Sequence, residues 1–504
     1  MQKLSNHFYP IAIASAVMVI SAISVKVIEN TSLSNSNNFP NPSLTPEITP
    51  TTTPETTPIA TPETTSIATP EITPNSTFVE ERLSFGNKIL VPKEETGIQN
   101  QDFQATKKKG IEEMAAGKYA EAAIEFEAAI QEYRNAPETL IYLNNARIMS
   151  DQNVYTIAVT VPIGSDANGA LEILRGVAQA QNEVNQAGGI NGTRLKVIVA
   201  NDDDEPKIAR QIASELVNNP EVLGVIGHFS SGSTLEAGKE YDAGKLVTIS
   251  PVSTAVTLSD FSHYVFRTVP NDAIAAKELA KHMVTKLKKQ KAAVFFNSQS
   301  KYSMSLKSKF IEEVLANGGQ VDKELEFDLS APSFSARKSI EQALARKTEV
   351  LMLAANTGML DKVLLVIQAN QKRLGLLGGD DVYAPKILAD GGEAGVGLVV
   401  AVAWHIDGNP ASDFSASSQK LWQGKVNWRT ATSYDATQAL IAALKRDPTR
   451  SGVQQALSAS NFSANGASGV IKFLSSGDRN SSIQLVEVRP SKNPATGYEF
   501  VPIR

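Results

Sequence analysis

Two patterns of apolar and polar positions alternate along most of this chain. Short, mainly apolar runs at 155–161, 195–200, 222–227 and 246–249 have the composition of buried strands. Between them lie longer stretches, such as 170–187 and the segment opened by Pro206, with apolar residues three and four apart. These predict amphipathic helices. The alternation continues as helix 273–287, strand 292–296, helix 303–316, strand 324–327, helix 334–345, strand 350–353, helix 360–369 and strands 386–389 and 398–403. Helices follow at 433–445 and 452–458. Residues 469–473 and 484–488 then read as a closing hairpin around Ser475-Ser476-Gly477-Asp478. Repeated βα units predict mainly parallel sheets wrapped by helices. About 350 residues of them are more than one doubly wound sheet holds, so two lobes with a cleft for a small ligand are expected.

The first 150 residues follow other patterns. Residues 8–25 are apolar or small apart from serines, lie between Lys3 and Lys26, and at 18 residues are just long enough to span a bilayer. Residues 1–30 therefore read as a membrane anchor or a signal segment. The lack of a small-x-small site after the apolar run favours the anchor. Thr-Pro-Glu recurs at Thr45, Thr53, Thr61 and Thr69. Proline lacks a backbone donor and fixes φ, so 31–100 is expected to be a disordered, extended Thr/Pro-rich linker. Residues 101–150 are helical in period. Gly110, Ala122, Phe126 and Ala129 stand at the offsets of a tetratricopeptide repeat, with Gly117-Lys118-Tyr119 at the turn. One repeat and half of the next cannot bury their own apolar face, so this segment is expected to dock on the domain C-terminal to it or on another copy.

Composition narrows the chemistry. The 504-residue chain has no cysteine, which excludes disulfides, thiolate metal sites and a cysteine nucleophile. A net charge of −5 gives no footprint for nucleic acid, and five histidines in no ligand spacing give none for a metal. No cofactor motif occurs: the glycines at 391–397 have the wrong order for a dinucleotide fold.

The most informative stretch is 225–257. Two adjacent strands are each followed by a hydroxyl-rich loop, Phe229-Ser230-Ser231-Gly232-Ser233-Thr234 and Ser250-Pro251-Val252-Ser253-Thr254. Open α/β sheets bind ligands beyond the carboxyl ends of their strands, and free N–H groups at a helix start suit a carboxylate. Ser231 stands at such a start; the plainer reading makes it an N-cap only.

Residues 153 to about 490 resemble the leucine/isoleucine/valine-binding family of periplasmic binding proteins, which serve ABC importers. The resemblance rests on Gly188-Gly189-Ile190-Asn191-Gly192, Asp202-Asp203-Asp204-Glu205-Pro206, Ile226-Gly227-His228-Phe229-Ser230-Ser231, Ile249-Ser250-Pro251-Val252-Ser253-Thr254, Phe266-Arg267-Thr268, Ser433-Tyr434-Asp435-Ala436 and Gly469-Val470-Ile471-Lys472-Phe473, in that order. It implies an α/β, two-lobed type I periplasmic binding fold with three crossover strands over 153–490, preceded by the short all-α segment. The first lobe is then about 153–270 plus 404–466, and the second about 271–403 plus 467–504.

The resemblance also implies a ligand site. Ser231, Val252 and Thr254 would hold a ligand carboxylate, Asp390 its ammonium, and Tyr302 and Asn356 would face the cleft. Asp390 can also be read as a turn residue beside Gly391-Gly392. Relatives often carry a cysteine where this chain has Ser230, and an aromatic where it has Asn356. The Ile163-Gly164-Ser165-Asp166 loop lacks the usual aromatic contact. These departures imply a roomier, more polar side-chain pocket. The expected function is an extracytoplasmic solute-binding protein, not an enzyme, that delivers an amino acid or amide to an ABC permease from the periplasmic side of the inner membrane. The alternative is a tethered sensor or scaffold that signals through the same cleft.

Overall fold

The buried apolar runs assemble into two separate sheets. The computed structural model describes residues 76–92, 101–408, 412–492 and 495–503. In the first sheet, β1 (Leu83–Ser84), β2 (Val154–Val161), β3 (Arg194–Asn201), β4 (Val222–Ile226), β5 (Thr248–Ser250) and β6 (Val265–Arg267) lie in the order β1-β3-β2-β4-β5-β6. All pairs are parallel except β1 with β3. The central pair runs in unbroken register from Val154 opposite Arg194 to Val161 opposite Asn201. Strands such as Val-Leu-Gly-Val-Ile can be apolar throughout because helices cover both faces.

The second sheet contains β7 (Lys291–Phe296), β8 (Gln320–Asp328), β9 (Val350–Ala354), β10 (Gly375–Gly378) and β11 (Val399–Val402), all parallel. After the small antiparallel pair β12 (Ala464–Gly466) and β13 (Gly469–Ile471), β14 (Gln484–Pro490) and β15 (Tyr498–Pro502) complete it in the order β15-β14-β11-β10-β9-β7-β8. The chain thus passes between the lobes three times: after β6, after β11 and after β13. In the middle of these excursions the Trp428–Arg446 helix returns to pack on the Ala167–Gln186 helix of the first lobe. The two helices touch backbone to backbone. A Cβ on Gly176 would stand 2.3 Å from the Thr430 carbonyl, so glycine is required there by close approach.

Two expected elements differ. Residues 386–389 are not a strand but part of the Pro385–Gly391 helix, which proline opens at its first turn. The strand at that point in the chain is β10, Gly-Leu-Leu-Gly, too short and glycine-bound to stand out by its apolar pattern. The expected hairpin between 469–473 and 484–488 does not form. Gly469–Ile471 pairs with Ala464–Gly466, and Gln484–Pro490 pairs with β11 and β15. The Ser475-Ser476-Gly477-Asp478 turn does exist, closed by the Leu474 N–H on the Asp478 carbonyl at 2.9 Å.

Part of the expected linker is folded. Val79 and Val91 are buried, β1 pairs with the edge of β3, and Arg82 reaches Asp203 at 2.7 Å. Apolar residues return after the Thr/Pro repeats, at Phe78, Val79, Leu83, Phe85, Leu90 and Val91, and they provide enough area to bury.

The helical segment comprises helices Gln101–Ala115, Tyr119–Glu132 and Pro137–Ile148. Gly110 packs flush on Phe126, where a Cβ would come within 2.6 Å of the ring. The third helix docks on the first lobe. Asn145 donates to the Phe85 and Val197 carbonyls at 2.9 and 2.7 Å and accepts from the Val197 N–H at 3.0 Å. A buried Lys107–Glu138 pair at 2.6 Å ties the first helix to the third. Among the described residues no helix is long and apolar enough to cross a membrane. The expected anchor at 8–25 lies outside the described residues, as does the Thr-Pro-Glu repeat region.

Candidate functional site

The carboxyl ends of β2, β4 and β5 in one lobe and of β7, β9 and β10 in the other face a common cleft, as the connectivity of parallel sheets dictates. The cleft holds a cavity of about 580 Å³. Ser231, Val252, Tyr302 and Asn356 all line it; Thr254 and Asp390 do not.

On the first-lobe wall, the loop after β4 turns into the Ser231–Gly244 helix. Ser230, not Ser231, is its N-cap and accepts from the Ser233 N–H at 3.2 Å. Ser230 also donates its backbone N–H to Asp204 at 3.2 Å, and the Ser233 hydroxyl donates to the same oxygen at 2.9 Å. Burial pushes the Asp204 carboxyl up to about 6. The helix start is thus tied to the Asp204 loop by hydrogen bonds. Ser231 is left free of capping work: its hydroxyl accepts from the Ala255 N–H at 3.2 Å and can donate elsewhere.

Thr254 is buried, and its hydroxyl stands beside the Asp272 carboxyl without closing a hydrogen bond of good geometry. Burial pushes Asp272 up to about 6, against the pull of the Ser305 and Thr254 hydroxyls and of Arg267. His228, to which the sequence assigned no role, sits behind this wall between Asp202 at 2.5 Å and the Tyr241 hydroxyl at 3.0 Å.

The second-lobe wall is built from three strand ends. Asn356, after β9, accepts from Asn297, after β7, at 2.8 Å. Tyr302 opens the Lys301–Ala316 helix, which Ser300 caps. Its hydroxyl donates to Asp380 at 2.6 Å. Asp380 and Asp381 follow β10 after Gly379. Burial, with Asp381 alongside, pushes Asp380 up to about 8. Asp381 is raised by burial but opposed by Arg429, whose Nη2 donates to it at 2.6 Å. Arg429 belongs to the first lobe, so this buried pair spans the cleft.

Asp390 is corrected by this geometry. It lies on the exposed face of the Pro385–Gly391 helix, where Lys386 pairs with it at 3.0 Å. The second-lobe acids that reach the cleft are Asp380 and Asp381. Their signal in the sequence was Leu376-Leu377-Gly378-Gly379 immediately before two carboxylates, a strand end followed by charge. Arg429 was also missed, because nothing local marks a residue whose partner lies 48 positions away.

The cleft presents five acidic side chains, Asp204, Glu205, Glu236, Asp380 and Asp381, against one basic one, Lys301. With a helix start on one wall and a carboxyl pair on the other, it can hold a small zwitterion by both ends.

Comparisons with known proteins agree with this architecture. The periplasmic binding protein family matches residues 155–493. An amino acid binding protein of Pseudomonas aeruginosa is 35% identical over 139 residues, 27% of this chain and 37% of that protein. The chain thus spans well under half of that relative. The leucine-specific-binding protein of Salmonella typhimurium is 25% identical over 302 residues, 59% of this chain and 79% of that protein. Among solved structures, a leucine binding protein of Thermotoga maritima superposes with a TM-score of 0.60 at 22% identity, covering 69% of this chain and 97% of that one. A solute binding protein of Rhodopseudomonas palustris in complex with 3,4-dihydroxybenzoic acid superposes with a TM-score of 0.59 at 17% identity, covering 69% and 96%. The fold is therefore the two-lobed type I periplasmic binding fold, and the chain belongs to the periplasmic binding protein family.

Proposed function

We propose that this protein is an extracytoplasmic solute-binding protein that closes on a small α-amino acid and delivers it to an ABC permease, with no chemical conversion. The observation that carries this reading is the opposition, across one 580 Å³ cavity, of the Ser231 helix start and the Asp380 carboxyl. Ser231 and Val252 take the carboxylate end, with Thr254 buried behind them beside Asp272. Asp380, oriented by Tyr302, takes the ammonium, and Asn356 closes the floor. Ligand then bridges the lobes and shifts their population toward the closed form. Residues 8–25 would tether the domain to the membrane, with the Thr/Pro repeats as spacer. Native mass spectrometry of the purified full chain tests the core of this reading: a co-purified amino acid supports it. Failure of any proteinogenic amino acid to bind by calorimetry would sink it.

Asp380 makes binding pH-dependent. An ammonium is held by the carboxylate form, whereas the free site stays protonated until about pH 8. Binding therefore releases a proton, and affinity rises as pH rises toward 8, then levels off. Asp381 and Asp272 face Asp380 and raise it, while the Tyr302 hydroxyl, which donates to it, and Arg429 lower it. Between pH 6 and pH 8 the gain is expected to be roughly tenfold or more. Asp380→Asn should flatten the profile, and calorimetry in two buffers of different ionisation enthalpy should report the released proton.

A further inference from the structure

A second cavity of about 300 Å³ lies beside the first, on the far side of the Asp381–Arg429 pair. Thr357 lines both cavities; Asp381 lines the first and Arg429 the second. The pair is thus the partition between the main cleft and a side compartment. Arg429 is only 4% exposed, yet its Nε has no hydrogen-bond partner among the described residues. A buried guanidinium N–H left open is costly unless something fills it. The group is held in place rather than free to swing away. Nη2 is fixed on Asp381, and the guanidinium lies 4.4 Å from the Trp428 ring and 5.7 Å from that of Phe229, which itself lines the main cleft.

The partition therefore offers two complementary groups side by side. Asp381 is an acceptor whose oxygens are used once each, by Arg429 and by the Thr357 N–H at 3.3 Å. Arg429 Nε is an unused donor. A primary carboxamide carries one acceptor oxygen and an NH₂ donor and satisfies both at once. A carboxylate would meet Arg429 but face Asp381 and the other acids of the cleft. An aliphatic side chain would leave Nε buried and unpaired.

We propose that Arg429 and Asp381 form the side-chain specificity site, and that the ligand is an amino acid with a side-chain carboxamide reaching toward the second cavity. This rests on the amino-acid reading above and sharpens it.

Calorimetry on the full chain with L-glutamine, L-asparagine, L-glutamate and L-leucine tests it. One of the two amides is expected to bind roughly tenfold or more tighter than both glutamate and leucine. Arg429→Lys keeps a charge opposite Asp381 but removes Nε. It should weaken the amide by about tenfold while changing leucine binding by less than about twofold. Leucine or glutamate binding as tightly as the better amide overturns the specificity site and leaves the amino-acid reading standing. So does an Arg429→Lys protein with unchanged amide affinity. Binding of none of the four overturns the specificity site, and the amino-acid reading falls with it only if the remaining proteinogenic amino acids also fail to bind. The comparison of ligands on the unaltered protein decides the question even if the variant fails to fold.

Discussion

Asp380→Ala is expected to weaken α-amino acid binding by about 100-fold or more, the cost of leaving a buried ammonium without its carboxylate. Asp390→Ala should leave affinity unchanged, because Asp390 is exposed and paired with Lys386 on a helix outside the cleft. The Asp380 variant should melt no lower than the parent. In the unfolded chain Asp380 ionises near 3.8, and in the folded chain it is pushed up to about 8. A carboxyl raised on folding is penalised by folding once the pH exceeds its unfolded value, and the penalty is complete above the folded one. At neutral pH its removal therefore relieves the protein. Loss of binding without loss of stability is the signature of a site residue held at a cost to the fold. Calorimetry and thermal melts of both variants check this, and equal losses of affinity in the two would return the ammonium site to Asp390.

The contrast between these two acids shows where sequence reading works and where it stops. The first-lobe wall was legible because its signals are local. A buried strand ends in glycine, a run of hydroxyls follows, and a helical period begins, all within 225–257. Ser231 and Val252 line the cleft as that pattern suggests. The second-lobe acids were not legible, because β10 contributes only Leu376 and Leu377 between glycines, while Ile387-Leu388-Ala389 offers a more convincing apolar run. The difference lies in Pro385: its fixed φ suits the first turn of a helix, and Ile387 then buries as part of that helix. Long-range pairs have no local signal at all. Arg429 lies in a helix start that reads as Trp-Arg-Thr-Ala-Thr, and only the folding of one lobe onto the other gives it Asp381. Residues 76–92 were absorbed into the linker for a related reason. Their few apolar residues form no period of their own and become ordered against the edge of β3.

Arg267 and Asp478 are a pair of the same long-range kind, and breaking it should have the largest effect on the fold. Arg267 ends β6, just before the first passage between the lobes. Asp478 lies in the turn of the third passage. Their side chains meet at 2.6 Å with both residues almost fully buried. Arg267 also donates to the Ala255 carbonyl and the Ser259 hydroxyl, both at 2.7 Å. Asp478 accepts from Ser259 at 2.8 Å and from Asn271 at 3.2 Å. The backbone follows the side chains: the Arg267 N–H donates to the Gly477 carbonyl at 3.0 Å, and Gly477 lies so close to Val265 that a Cβ would stand 2.5 Å from its carbonyl. One ion pair thus joins two of the three passages between the lobes. Arg267→Met removes the cation, leaves Asp478 buried with only neutral donors, and leaves the Ala255 carbonyl with the Leu258 N–H alone. It should cost about 3–5 kcal/mol of unfolding free energy. Adding Asp478→Asn should recover part of that loss, since an amide in that place carries no charge and can still accept from Ser259 and Asn271. Urea denaturation of the two single variants and the double variant measures the coupling. A loss below about 1 kcal/mol for Arg267→Met would place this pair with surface ion pairs and end its role in joining the passages.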